Sequence, residues 1–298
     1  MPGIQVSRDA RLRSKWLYSA PWNTTVPPHY ENIVTLWCQF RDSELVHPFI
    51  ISMMRAKSIF LFIPFLKIIA HTIKGVSILI CIFPFAKDQT KKRHIRHWSI
   101  HLLTIFHLRH RVINAELLPK SGGYLIAANH ISWIDIASIQ SFLPCRFVAK
   151  SEVADWPVFG WMAEQIGTVF IRRESKRHGK EIANQLETLL PNEPICIFPE
   201  GTSTAGDRVL PFRPNLFEAA AQTQVKTFPM TIRYVDQNNQ YSDATAFIGE
   251  MTLIDSIIKM LRTKSITVEL VFGPSPATDL DRKALAQYCE EQVRSQIK

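Results

Sequence analysis

Apolar residues fall in one long block early in the chain and in many short blocks after it. From residue 111 onward, short apolar-rich runs occur at 111–117, 124–129, 145–149, 168–172, 194–198, 227–234, 244–250 and 266–272. Runs of that length, bounded by turn formers, predict buried strands. Helical periodicity occupies the gaps at 133–143, 156–165, 175–190, 213–223, 252–261 and 279–296. The last of these opens on Asp279 and Asp281, as the helix dipole prefers. Alternating strands and helices predict an α/β fold with a mixed, mostly parallel sheet covered by helices.

The early block, 58–86, is the most hydrophobic part of the chain. It is long enough to span a bilayer, which takes about 20 apolar residues. Lys67, His71 and Lys74 interrupt it at i, i+4 and i+7, which places them on one helical face. A single spanning helix would bury two lysines near its centre, at about 2.5–3.5 kcal/mol each. A helix lying in the interface, or a hairpin broken near Gly75, avoids most of that cost. A core helix of a soluble protein is the alternative.

The next stretch, 89–115, has no acidic residue. It carries Lys91, Lys92, Arg93, Arg96, Arg109 and Arg111, and five of the 10 histidines. Cations beside an apolar anchor suit anionic phospholipid, at about 1 kcal/mol per charge near the surface. They also predict the cytoplasmic face of the (inner) membrane. His94, His97 and His101 share a helical face, but no acid or cysteine stands near to complete a metal site, so none is expected. The apolar anchor, with no recognised nucleic-acid motif, argues against a nucleic-acid partner despite the net charge of +9.

Residues 1–52 hold scattered prolines and tryptophans without periodicity and are expected to form a mobile N-terminal extension. The predicted organisation is then that extension, a basic membrane-anchoring helical segment at 53–110, and an α/β domain at 111–298. The five cysteines are far apart, with no CxxC pair, so no disulfide framework is expected.

Four stretches carry candidate chemistry. In Asn129-His130-Ile-Ser-Trp-Ile-Asp135, a histidine stands at a strand end with a carboxylate five residues on, in the first turn of a helix. Asp135 can reach one ring nitrogen and raise basicity at the other. A histidine merely satisfied at a strand end, with Asp135 as a helix cap, fits as well. In Gly167-Thr-Val-Phe-Ile-Arg172-Arg173, a strand ends in two arginines, which suit a phosphate or carboxylate at the sheet's carboxyl edge. In Phe198-Pro199-Glu200-Gly201-Thr202-Ser203, a buried strand ends in a polar turn where Glu200 can hold a polyol or amine. The run from Gly201 to Gly206 has one residue too many for a GxSxG nucleophile elbow. Phe228-Pro229-Met230-Thr231-Ile232 reads as a strand with proline at its start, a structural feature.

NHxxxxD, GxxFIxR, FPEGT and a proline-led apolar strand, in that order, resemble the four blocks of the glycerolipid acyltransferases, the lysophosphatidic acid acyltransferase family. The resemblance covers about residues 110–275. It implies that His130 deprotonates the acceptor hydroxyl and Asp135 orients it. It implies that Arg173, Glu200, Gly201, Thr202 and Arg213 hold the acceptor headgroup. It implies acyl-CoA or acyl carrier protein as co-substrate, no other cofactor, and a lysolipid acceptor, foremost 1-acylglycerol-3-phosphate. Two departures matter. Many members that acylate lysophosphatidic acid carry arginine after EGT, where this chain has Ser203, and a glycine of the PFKxGxF block is Asn215 here. FPEGTS followed by VLPF looks more like the branch acting on lyso-ornithine lipids, the second acceptor to be weighed. A non-catalytic lipid-binding relative is the reading from another class.

Overall fold

The computed structural model describes residues 59–171, 176–263 and 265–297, with side chains for all but 59–61 and 176–182. The expected extension, 1–52, lies outside the described residues. Two helices come first, α1 (Ile59–Cys81) and α2 (Asp88–Ile105). Then follow β1 (Leu108–Ile113), β2 (Leu125–Ala128), α3 (Ile134–Phe142) and β3 (Arg146–Lys150). After them come α4 (Phe159–Gln165), β4 (Val169–Ile171), α5 (Lys176–Leu189) and β5 (Ile195–Ile197). The chain closes with α6 (Glu218–Thr223), β6 (Thr227–Val235), α7 (Leu253–Arg262), β7 (Ile266–Phe272) and α8 (Arg282–Gln296).

The seven strands form one sheet in the order β1-β7-β6-β2-β5-β3-β4. Every pairing is parallel except β6 with β7. The mixed, mostly parallel sheet expected from the alternation is therefore what forms. β2 lies at its centre, and its four residues are buried on both faces, as parallel strands under two helical layers must be. Ile126 and Ala128 face a core filled from α2, α3 and α7 by Leu103, Ile134 and Met260. Leu125 and Ala127 face the opposite core, filled from α5, α6 and α8 by Leu186, Ala220 and Cys289.

Several expected elements shift for local reasons. The strand expected at 111–117 runs earlier and stops at Ile113, because Asn114 takes a left-handed φ of 59°. Pro157 and the positive φ of Val158 delay α4 to residue 159. Pro214 opens a single 3₁₀ turn before α6, so the helix expected from 213 is short. The strand expected at 244–250 does not form. Its backbone bonds elsewhere: Phe247 N–H donates to Ile131 O at 3.0 Å, and Ala246 N–H closes a turn on Asp243 O.

α1 runs unbroken through Gly75, and the chain reverses after it, at 82–87. A Cβ on Gly75 would meet Trp98 Nε1 at 2.5 Å, so glycine there lets α2 approach closely. His71 does not share the outward face of Lys67 and Lys74. It is buried against α2, where Nε2 donates to Trp98 O at 3.0 Å and Trp98 Nε1 returns a bond to His71 O at 3.1 Å. The two lysines remain exposed.

Candidate active site

β2 delivers Asn129 to the carboxyl edge of the sheet. Its side-chain amide clasps the backbone of Ile232 on β6: Oδ1 accepts from Ile232 N–H at 2.7 Å and Nδ2 donates to Ile232 O at 3.0 Å. A side chain thus continues the β2–β6 pairing after the strand has ended. The main chain of the next residue is left free to turn.

That residue is His130, and it is held at four points. Its N–H donates to Glu200 Oε1 at 2.8 Å. Its carbonyl accepts from Thr204 N–H at 2.9 Å. Its ring stacks on Phe198, with centroids 4.2 Å apart. Ring Nδ1 lies 2.8 Å from Asp135 Oδ2. A carboxylate only accepts, so Nδ1 carries the hydrogen and Nε2 presents its lone pair. The His130 side chain keeps 23% exposure, enough for a second molecule to reach that nitrogen.

Asp135, in the first turn of α3, is fully buried. Burying a carboxylate is costly unless its lone pairs are filled. Here Oδ2 also accepts from Ile131 N–H at 2.8 Å and Ser132 N–H at 2.9 Å, and Oδ1 accepts from the Tyr234 hydroxyl at 2.7 Å. The carboxylate therefore both caps its loop and orients the histidine.

Glu200 is 3% exposed. One of its oxygens accepts from His130 N–H and the other from Leu210 N–H, each at 2.8 Å. Burial pushes its carboxyl above the ordinary range, and the two backbone donors oppose that push. Gly201 follows with φ of 74°, a left-handed turn that glycine takes freely. Thr202 is exposed beside it. Ser203 donates its hydroxyl to Phe247 O. Arg213 joins the same turn through its backbone, N–H to Pro199 O at 3.0 Å, and its side chain is exposed. Arg172 and Arg173 lie outside the described residues.

The structure thus brings His130, Asp135 and Glu200 together, with Gly201, Thr202 and Arg213 on the adjoining turn. Sequence reasoning missed Tyr234 and the Phe198 stack. A tyrosine in an otherwise apolar buried strand is a signal, because a buried phenol usually has a hydrogen-bond partner. Cys145, Cys196 and Cys289 are buried, and burial pushes their thiols up, that of Cys289 to about 12. No cluster of three metal-ligating side chains occurs among the described residues.

Three residues past His130, Trp133 lines an apolar cavity of about 180 Å³. Ile68 and Leu79 of α1, Trp98 of α2, and Trp156 and Met162 close the other sides. Its lining is mostly apolar, and His130 itself is not among the residues that form it.

Comparison with known proteins identifies the family. The family model described as Acyltransferase matches residues 109–233. A 1-acyl-sn-glycerol-3-phosphate acyltransferase of Neisseria gonorrhoeae is 34% identical over 178 residues, 59% of this chain and 69% of that one. A lyso-ornithine lipid O-acyltransferase of Brucella abortus (strain 2308) is 33% identical over 224 residues, 66% of this chain and 82% of that one. The crystal structure of the 1-acyl-sn-glycerophosphate (LPA) acyltransferase PlsC from Thermotoga maritima shares the fold. Its TM-score is 0.54 at 21% identity, over 78% of this chain and 96% of that one. The chain belongs to the acyltransferase family.

Proposed function

We propose that this protein transfers a fatty acyl group from an acyl thioester, on CoA or acyl carrier protein, to the hydroxyl of a lysolipid. The foremost acceptor is 1-acylglycerol-3-phosphate, giving phosphatidic acid. The observation that carries this reading is the His130 Nδ1–Asp135 Oδ2 bond of 2.8 Å, which leaves Nε2 as a base, while Trp133, three residues on, lines an apolar cavity. The acceptor hydroxyl gives its proton to Nε2 as its oxygen attacks the thioester carbonyl. The tetrahedral intermediate then breaks its C–S bond, and the departing thiolate recovers the proton. Asp135 stabilises the transient imidazolium. General-base help of this kind is worth about 10²–10⁴-fold, and fixing two lipid-tailed substrates beside the ring supplies more. No acyl-enzyme is needed.

The acyl chain occupies the apolar cavity, and the enzyme works on the cytoplasmic face of the membrane. Phe62, Ile63, Leu66, Ile69 and Ile73 project from α1 with 43–60% exposure, and Phe85 at the turn reaches 87%. α1 is also long and apolar enough to cross a membrane, by length and composition. Exposed Lys92, Arg93 and Arg96 on α2 suit anionic headgroups. In the test, purified wild type and His130→Ala are given acyl-CoA and 1-acylglycerol-3-phosphate in vesicles. Wild type forms phosphatidic acid and His130→Ala does not, while both float with the vesicles. Full activity in His130→Ala would end this mechanism.

One observation favours a second acceptor, lyso-ornithine lipid, which has no phosphate monoester. Ser203 stands where a phosphate-binding arginine would be, and its hydroxyl is spent on Phe247 O. Ser203→Arg should favour the phosphate acceptor over lyso-ornithine lipid. An unchanged ratio would remove Ser203 from the choice of acceptor.

A further inference from the structure

We propose that Tyr234 is a positioning residue of the acyl-transfer site, acting through Asp135 on the basicity and orientation of His130. It lies outside all four sequence motifs and comes from β6, 99 residues from Asp135. The four donors to Asp135 are shared unequally between its two oxygens. Three of them, the His130 ring, Ile131 N–H and Ser132 N–H, converge on Oδ2 and belong to the same short loop. Among the described residues, Oδ1 has only the Tyr234 hydroxyl, at 2.7 Å.

Two consequences follow. The torsion that swings a carboxylate plane is soft, and one oxygen alone leaves that plane underdetermined. The phenol fixes the second oxygen and so the direction in which Oδ2 meets Nδ1. The phenol also draws negative charge away from the carboxylate. Less charge then remains to stabilise the imidazolium that forms when His130 takes a proton. The donor is permanent, since burial and the facing carboxylate push the Tyr234 phenol well above its ordinary range.

The other titratable groups facing this pair, among the described residues, are Glu200 and Cys196. Glu200 bonds the His130 backbone and not the ring, and Cys196 is a buried neutral thiol. Neither touches the Tyr234 hydroxyl. Changing that hydroxyl therefore changes one input to the pair.

The inference rests on His130 as the general base, and the experiment separates the two. Tyr234→Phe and a ring-fluorinated tyrosine at 234, a stronger donor of nearly the same shape, are compared with wild type across pH. In Tyr234→Phe, kcat falls about tenfold with KM within about twofold, the loss expected for one hydrogen bond to a charged group. The acid limb of its pH profile moves up by about half a unit, and that of the fluorinated protein moves down. The His130 Nδ1–H proton resonance, read without turnover, shifts in opposite senses in the two proteins. Limbs and resonance unmoved in both would reduce Tyr234 to a core residue. Should Tyr234→Phe fail to fold, the fluorinated protein decides alone, because its packing and hydroxyl are retained. A wild type with no acyl transfer would end the catalytic reading while the resonance still reports the coupling.

Discussion

Asp135 and the outer face of α1 are opposite ways of handling side chains in the wrong solvent. Asp135 is a carboxylate with no exposure, and four donors answer it. Leu66 and Ile73 are apolar, 54% and 60% exposed, and nothing in the described residues answers them. The first is solved inside the protein by bringing β2, α3 and β6 together. The second is left for something outside. A soluble monomer rarely keeps a contiguous apolar face of that size without a partner for it. On the reading proposed here, the partner is the bilayer that holds the acceptor.

The contrast breaks first at Asp135. Asp135→Asn keeps the shape but presents an amide N–H₂ to one side of a ring of donors. With the amide nitrogen in the place of Oδ2, the His130 ring, Ile131 N–H and Ser132 N–H all lose their acceptor; with it in the place of Oδ1, it meets the Tyr234 hydroxyl and the ring keeps only a neutral acceptor. Acyl transfer is expected to fall by about 10²–10⁴-fold, with vesicle binding unchanged. Initial rates at saturating substrate measure the first, and flotation the second. A mild loss would mean that the imidazole needs no orienting carboxylate.

The other side is tested by making α1 polar. Leu66→Asp with Ile73→Asp should cost little inside the protein, because both side chains already point outward. Each apolar side chain withdrawn from a lipid environment forfeits about 1.5–3 kcal/mol, so the bound fraction should drop by more than tenfold in a sedimentation assay. Turnover of a short-chain, water-soluble acceptor should persist. Joint loss of both would make the outer face of α1 part of the site and erase the division.

Asn129 sharpens the comparison from within. Asn129→Ala leaves the N–H and C=O of Ile232 buried without partners, at about 1–3 kcal/mol for each orphaned group. For a chain of this length that lowers the melting temperature by several degrees. Activity should fall as well, since the same clasp frees His130 to turn. Differential scanning beside the rate assay separates the two effects.

Much of this was legible in the sequence, and the residues show why. β2 and β5 are short apolar runs closed by polar turns, a pattern set by burial on both faces. His130 and Asp135 stand five residues apart, so their contact is local and readable. Tyr234 meets Asp135 only because β6 lies beside β2, a neighbour relation fixed by topology. The hydrogen-bond partners of Glu200 were hidden for the same reason, since His130 N–H and Leu210 N–H belong to other segments. Residues 244–250 carry strand-like residue types, yet their backbone is claimed by Ile131 and Ser203. His71 shares its period with two lysines, but an imidazole can be buried once Trp98 offers a carbonyl, whereas an ammonium there would need more partners.

The finest distinction concerns Glu200, a second buried carboxylate that is answered less fully than Asp135. Its folded proton affinity is raised by burial, against two backbone bonds that lower it. A raised folded value means that the native state binds this proton more tightly than the unfolded chain does. The stabilisation linked to it is thus complete below the ordinary carboxylate range and is lost as pH rises through the folded value. At neutral pH the ionised side chain is kept at some cost, and what it secures is the His130 and Leu210 backbone. Glu200→Gln removes the titration and leaves an N–H₂ facing one of those two N–H groups. Melting temperatures of wild type and Glu200→Gln, taken from acid to neutral pH, should differ by an amount that changes across that window in the sense of wild type losing ground. Activity of Glu200→Gln should be reduced at every pH, because the misplaced donor disturbs the His130 backbone whatever the charge. A melting difference independent of pH would mean that Glu200 does not titrate differently in the fold, and its role would then be hydrogen bonding alone.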